Sequence, residues 1–160
     1  MPPRFWKMAF SLGLFFLFFL VLSLSLQFNL PKQTGSYVVG QMIFHWVDPA
    51  RTEVLSDDPN DFREVMASIW YPAESGTGVD AGYIPDIAAL SDALAQSGEL
   101  AWWQVLAVHF VRSESPLNAR PLKDGAPYPV ILFSPGNGTN IEFYSVLAGE
   151  IASHGYVVVG

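Results

Sequence analysis

The chain contains no cysteine and few basic residues. The missing thiols exclude a disulfide framework, a lipoprotein anchor and a thiolate metal site. The 8 Lys and Arg residues face 15 Asp and Glu residues, which gives a formal net charge of −7 at pH 7. Because binding to nucleic-acid phosphates needs clustered basic residues, we exclude nucleic acid as a partner.

The acidic residues do not form a metal-binding motif. Their densest group lies between two predicted strands and comprises Glu53, Asp57, Asp58, Asp61 and Glu64. Pro59 interrupts the group, and no glycine follows at the position that a calcium-binding EF-hand loop requires. We interpret the group as a solvated turn and predict no metal ion and no organic cofactor. His45 stands alone in an alternating strand and is interpreted as a packed or surface side chain.

Charge is also missing from a long apolar run, Met8 to Pro31, near the N-terminus. Its 24 residues exceed the roughly 20 that cross a hydrocarbon core. Arg4 and Lys7 precede the run, so the positive-inside rule predicts that the residues after it are extracytoplasmic, periplasmic or extracellular. We expect a signal anchor in residues 1–31, ahead of a globular part in residues 32–160. A cleaved signal peptide, which would release a secreted protein, and a buried soluble helix are the alternatives.

The middle of the chain predicts two strands and then two helices. Gln41 to Asp48 and Glu64 to Tyr71 alternate in polarity and are expected to pair antiparallel across the acidic turn. Pro85 to Ser97 and Glu99 to Val111 have helical spacing. The second of these is apolar nearly all round, so it either packs on the sheet or lies at a lipid surface. In the second case the contacts to lipid would come from Trp102, Trp103, Leu106 and Phe110.

The last 33 residues, Tyr128 to Gly160, have the order strand, turn, helix, strand. Tyr128 to Phe133 is a short apolar run, and Tyr156 to Val159 is another. Thr139 and Glu142 fit a capping box that starts the helix between them. The predicted buried stripe of this helix comprises Phe143, Val146, Leu147, Ile151 and His154, and Gly155 suits a left-handed cap. A right-handed crossover would make the two strands parallel.

The turn after the first of these strands is the main chemical signal. Pro135-Gly136-Asn137-Gly138 lets the backbone turn sharply and leaves N–H groups free just before a helix. One interpretation is half of an oxyanion hole, which needs fixed N–H donors where charge develops on a carbonyl oxygen. The other is an ordinary tight connection.

Several segments in a fixed order resemble a known family. Phe133-Ser134-Pro135-Gly136-Asn137-Gly138 is similar to FSHGLG, and Ala152 to Tyr156 is similar to a SHGF-type strand start. Upstream, Gly35 to Gly40 resembles GPYxVG, Ile69 to Pro72 resembles YYP, and Tyr83 to Pro85 resembles WIP. These motifs belong to the plasma-type platelet-activating factor acetylhydrolases of the α/β-hydrolase superfamily. Pro135 departs from the usual His, and Ser-Pro-Gly is closer to cutinase-like polyester hydrolases.

The resemblance implies the N-terminal part of an α/β-hydrolase sheet, strands 1 to 4, preceded by one transmembrane or signal helix. The backbone N–H of Asn137 would be one oxyanion donor, and the residue after the nucleophile would supply the other. No serine of this chain has a glycine two positions before and two after it, and the family's Ser, Asp and His lie beyond the fourth strand. We therefore expect no catalytic residue here. Ser134 with His154 is rejected as a substitute, because the helix separates them.

The function that the resemblance implies is a serine ester hydrolase acting on short acyl esters of phospholipids, the 1-alkyl-2-acetylglycerophosphocholine esterase type. Phospholipid or another ester and a membrane would be its partners. These residues alone are expected to be inactive. A cutinase-like polyester or lipid esterase is the alternative enzyme. A membrane-anchored binding or vestigial protein is the alternative outside enzymes.

Overall fold

The computed structural model describes residues 4–25, 30–85, 87, 91, 108–137 and 139–160. In chain order its elements are helix α1 (Arg4–Ser25), strands β1 (Val39–Thr52), β2 (Phe62–Pro72) and β3 (Val130–Leu132), the 3-10 helix η1 (Ile141–Tyr144), helix α2 (Ser145–Ser153) and strand β4 (Val157–Val159). Most of the two helices predicted between residues 85 and 111 lies outside the described residues. So do Trp102, Trp103 and Leu106, whereas Phe110 is exposed in a turn.

The strands form one mixed sheet in the order β1-β2-β4-β3. β1 and β2 pair antiparallel from Val39 opposite Pro72 to Asp48 opposite Arg63. β4 pairs antiparallel with β2 and parallel with β3. The predicted antiparallel pair and the predicted parallel crossover are both confirmed.

The acidic segment forms the turn between β1 and β2, as predicted. Asp58 accepts a hydrogen bond from the backbone N–H of Asn60 at 2.8 Å, and the Glu53 N–H donates to the Asp61 carbonyl at 2.8 Å. Short Asp side chains that bond their own backbone favour such turns. His45 is a surface side chain, with Nε2 2.7 Å from a Glu64 oxygen.

The main core lies between α2 and one face of the sheet. It consists of Val39, Trp70, Ala148, Ala152 and Val158. Tyr71, Ala73 and Ala119 form a smaller cluster, in which the Tyr71 hydroxyl donates to the Ala119 carbonyl at 2.6 Å. Both faces of β2 are therefore covered near its carboxyl end, which fixes the part of the sheet that carries β4.

The predicted stripe of α2 is not its buried face, although Ile151 packs partly buried against the core. The buried residues are the small ones, Ser145, Ala148, Gly149, Ala152 and Ser153, whereas Phe143 and Leu147 are about half exposed. Small side chains let the helix axis come close to Trp70, which fills the space between helix and sheet. A prediction from hydrophobicity alone places the largest apolar side chains inside, and here they flank the contact instead.

The predicted capping box is also wrong. The Oδ1 atom of Asn140, one residue later than expected, accepts from the Glu142 N–H at 3.1 Å. The Glu142 side chain points into the protein and does not reach back to Thr139. The helical segment starts as a 3-10 turn, which shifts the phase of the residues after it. Gly155 does adopt the predicted left-handed conformation, with φ of 93°.

The N-terminal segment is helical in α1, as the apolar run indicates. A search of the described residues finds no helix that is both long enough and apolar enough to cross a membrane. The transmembrane or signal helix is not confirmed. The boundary at residue 31 and the extracytoplasmic location stay predictions.

The close approach of α2 to the sheet predicts an unequal response to substitution. Ala152→Leu should lower the free energy of unfolding by about 1–3 kcal/mol or more, because the added methylenes have no space. Leu147→Ala should cost less, since Leu147 is 47% exposed. Urea denaturation of the full-length protein measures both. A larger loss of unfolding free energy for Leu147→Ala than for Ala152→Leu would indicate that the large apolar residues form the buried face of α2. That result would contradict the observed orientation of the helix.

Candidate oxyanion site

The candidate site lies where β3 ends. The Phe133 N–H donates to the Val159 carbonyl at 2.8 Å, so the parallel ladder continues to the last residue before the turn. Because β3 and β4 are parallel, the residues after the two strands lie at the same edge of the sheet. At this edge Gly160 approaches Ile141 of η1 so closely that a Cβ on Gly160 would be 2.3 Å from Ile141 Cδ1.

Thr139 closes the turn itself. Its N–H and its hydroxyl both donate to the Gly136 carbonyl, at 3.1 Å and 2.7 Å. Ser134 and Asn137 are exposed on the rim of this turn. The carbonyl of Gly136 is thus turned toward Thr139, and the peptide that it shares with Asn137 carries its N–H on the opposite side.

The Asn137 N–H is a free donor in the part of the chain that the structure describes. No described residue accepts a hydrogen bond from it, and Asn137 is exposed. A backbone N–H that is fixed but unused can stabilise negative charge on an incoming oxygen without reorganising first. The geometry therefore gives a preorganised amide at the sheet edge where α/β proteins bind ligands.

An aromatic contact connects the start of the turn to the helix after it. The rings of Phe133 and Tyr144 lie 5.0 Å apart at 55°. Both side chains line a shallow apolar cleft with Leu147, Ala148, Ile151 and Val158. The turn is consequently held on both sides, by the β-ladder before it and by the packing of η1 and α2 after it.

A buried carboxyl group lies behind the turn. Glu142 is 8% exposed, and its oxygens accept hydrogen bonds from the Ser68 hydroxyl at 2.5 Å and from Gln41 Nε2 at 3.1 Å. Burial raises the pKa of Glu142, and the two hydrogen bonds offset part of this effect. The sequence reasoning missed this role. The available signal was the polar pair Gln41 and Ser68 on inward positions of strands that are otherwise apolar there.

Ser134 and His154 do not come together. Ser134 lies before η1, whereas His154 caps the far end of α2 and its Nε2 is 3.1 Å from a Glu150 oxygen. Hydrogen bonds from Thr34 and from His154 lower the pKa of Glu150. This exposed pair joins α2 to the segment before β1 and has no contact with the turn.

The sheet order and the amide after β3 define the class of this protein: the fold is that of the N-terminal part of an α/β-hydrolase. The structure of a ferulic acid esterase from Streptomyces cinnamoneus is similar, with a TM-score of 0.63 and 25% identity over 82% of this chain and 35% of that one. The family is more specific. The profile of "Platelet-activating factor acetylhydrolase, isoform II" matches residues 22–160, and the chain belongs to this family.

Individual relatives agree with this assignment. A platelet-activating factor acetylhydrolase of Cavia porcellus is 31% identical over 133 residues, which are 81% of this chain and 28% of that protein. A probable 1-alkyl-2-acetylglycerophosphocholine esterase of Arthroderma benhamiae is 28% identical over 147 residues, 86% of this chain and 37% of that protein. The chain thus spans about a third of the length of such relatives, and the resemblance inferred from the motifs is confirmed.

Because the N–H and the hydroxyl of Thr139 both donate to the Gly136 carbonyl, we predict that the hydroxyl stabilises the turn. Thr139→Val keeps the shape and the N–H bond but removes the hydroxyl donor, so the free energy of unfolding should fall by about 0.5–1.5 kcal/mol. Thr139→Ser keeps the donor and should cost less. Urea denaturation of the two full-length variants measures the difference. An equal cost for both would show that the hydroxyl bond is not what stabilises the turn.

Proposed function

We propose that the full-length protein is a serine ester hydrolase that cleaves short acyl esters of phospholipids. The observation that carries the proposal is the free Asn137 N–H at the carboxyl edge of β3, in a chain of this family. The name of the Arthroderma benhamiae relative supports an acetyl-glycerophosphocholine ester as the substrate class. Ester hydrolysis is the chemistry that a fixed amide at this position serves best.

Asn137 would act on the oxygen that becomes negative. As the expected base takes the proton of the serine hydroxyl, the serine oxygen attacks the ester carbonyl carbon, the carbonyl π electrons move onto oxygen, and a tetrahedral oxyanion forms. The Asn137 N–H donates to that oxyanion, and a second N–H is expected from the residue after the nucleophile. Collapse of the intermediate breaks the ester C–O bond while the protonated base gives its proton to the leaving alcohol, which leaves an acyl-enzyme. Water, losing its proton to the same base, then releases the acid and restores the serine. By the family resemblance, the serine, acid and base lie beyond Gly160.

A cutinase-like polyester or lipid esterase is the second candidate. Ser134-Pro135-Gly136 favours it, because Pro135 stands where acetylhydrolases of this family usually have His. Residue 135 adjoins Gly136 and the oxyanion amide, so its side chain would border the bound acyl group. A pyrrolidine ring offers neither charge nor a hydrogen-bond donor there, which suits a less polar substrate.

The oxyanion role of Asn137 predicts that removing its backbone N–H lowers kcat. Asn137→Pro lacks the backbone N–H, so kcat should fall about 10²–10³-fold, the usual effect of losing one oxyanion donor. The matched variant Asn137→Ala keeps the N–H and should retain most of kcat. Steady-state kinetics of the full-length protein on an acetyl ester provide the test. Equal losses of kcat in both variants would show that the Asn137 side chain causes the effect. They would reject the backbone N–H as the oxyanion donor.

The two candidate functions predict different preferred substrates, so comparing kcat/KM between substrates tests the substrate class. The full-length protein should hydrolyse a 2-acetyl phospholipid with a higher kcat/KM than a long-chain triglyceride or a polyester film. A fluorophosphonate probe should label one serine, since only an activated hydroxyl reacts. Preference for polyester would select the cutinase-like function. Absence of both labelling and hydrolysis would favour the non-enzymatic binding protein.

A further inference from the structure

Glu142 is a buried acid that the proposed chemistry does not use. Its described neighbours are polar and uncharged: Ser68, which is 2% exposed, and Gln41, which is fully buried. Tyr83 is a titratable group near the carboxyl: burial raises the pKa of Tyr83, and the charge of an ionised Glu142 would raise it further. The Tyr83 hydroxyl donates to the Phe143 carbonyl at 3.2 Å. No cation faces the carboxyl among the residues that the structure describes.

The described groups around Glu142 offer hydrogen bonds but no compensating charge. The Oε1 atom of Gln41 is buried and has no hydrogen-bond partner among the described residues. A carboxylate would add two further acceptors and a negative charge that nothing compensates. A neutral carboxylic acid carries no charge, and its hydroxyl can donate to the Ser68 oxygen that lies 2.5 Å away. The raised pKa of Glu142 agrees with the neutral form, since burial is its largest cause.

The carboxyl joins three parts of the fold that surround the turn. Gln41 belongs to β1, Ser68 belongs to β2, and Glu142 belongs to η1. The Ser68 backbone also exchanges hydrogen bonds with Gly160, at 2.8 Å and 2.9 Å, so the same residue fixes the end of β4. A single buried group thus connects the sheet to the segment after the oxyanion turn.

A short chain of bonds leads from Glu142 back to Asn137. The Glu142 N–H donates to the Asn140 side chain at 3.1 Å. Thr139, the residue before Asn140, holds the Gly136 carbonyl through two hydrogen bonds. The peptide after that carbonyl is the one whose N–H points outward. Displacement of η1 would therefore rotate the Asn137 amide.

We propose that Glu142 is a positioning residue: its neutral carboxyl fixes η1 to Gln41 and Ser68 and thereby sets the direction of the Asn137 N–H. The catalytic consequence rests on the proposed function, whereas the structural consequence does not. Ionisation of this carboxyl would leave an uncompensated charge inside the protein and release η1. The turn would then lose its support on the side of the helix.

The direction of the pH effect is set by the raised pKa. In the unfolded protein the carboxyl loses its proton near the ordinary value for glutamate, while the folded protein keeps it to a higher pH. Between these two values the folded state binds more protons. Stability should therefore fall as pH rises through this interval and level off above the folded pKa.

The test compares three variants of the full-length protein. Glu142→Gln stays neutral at all pH values, and Glu142→Leu removes the hydrogen-bonding group. Asp57→Asn, at an exposed acid of the turn between β1 and β2, is the control. Hydrogen exchange of residues 134–144 and urea denaturation are measured from pH 5 to pH 9. Neither readout needs enzyme activity.

We expect wild type and Asp57→Asn to exchange faster in this segment and lose stability as pH rises, beyond the intrinsic change. Glu142→Gln should not show this dependence. Glu142→Leu should exchange about tenfold faster at every pH, since Ser68 and Gln41 lose their partner. An unchanged pH dependence in Glu142→Gln, or exchange as fast as in Glu142→Leu, would overturn the proposal.

Activity adds a separate readout. Glu142→Leu should lower kcat at least tenfold with little change in KM, and Glu142→Gln should restore most of kcat without an alkaline decline caused by this group. Equal kcat loss in both variants would reject the positioning role of the neutral form. If exchange behaves as expected but wild type hydrolyses no ester, the proposed function fails and the structural role of Glu142 stands.

Discussion

The parallel pairing of β3 with β4 is the constraint on which the rest of the structure depends. Two consecutive parallel strands need a crossover, and here α2 makes it over the face that carries Trp70 and Val158. The crossover forces the chain to leave β3 at the carboxyl edge and to turn before the helix. The exposed Asn137 amide is a consequence of this route as much as of the glycines beside it.

The crossover packs on the sheet through small side chains, and this packing explains the arrangement behind the turn. Ala148 and Ala152 bring α2 against Trp70, so η1 is drawn over β1 and β2. The Glu142 side chain of η1 is then only 8% exposed and has its hydrogen-bond partners inside. Glu142 finds Ser68 and Gln41, and the cost of burying a carboxyl is offset by neutralisation and two hydrogen bonds.

Local patterns predicted most of the fold, and long-range packing decided the rest. Alternation in β1 and β2, the apolar runs of β3 and β4 and the left-handed Gly155 arise from backbone chemistry that neighbours in sequence determine. Neighbours in sequence do not determine which face of α2 is buried. That face depends on whether the sheet presents a large residue such as Trp70 to small residues on the helix. Glu142 was misassigned for the same reason: a capping role is local, whereas its partners lie far away in sequence. The Asn137 amide came from the family resemblance, and the structure adds that no described residue accepts a hydrogen bond from its N–H.

The structure of the full-length protein inhibited by a fluorophosphonate tests the central claim most directly. A phosphonate bound to the nucleophile carries an oxygen where the oxyanion would be. We predict that this oxygen lies about 2.7–3.1 Å from the Asn137 nitrogen, with η1 and Glu142 unmoved. A phosphonyl oxygen held by other donors, with Asn137 facing solvent, would contradict the oxyanion role.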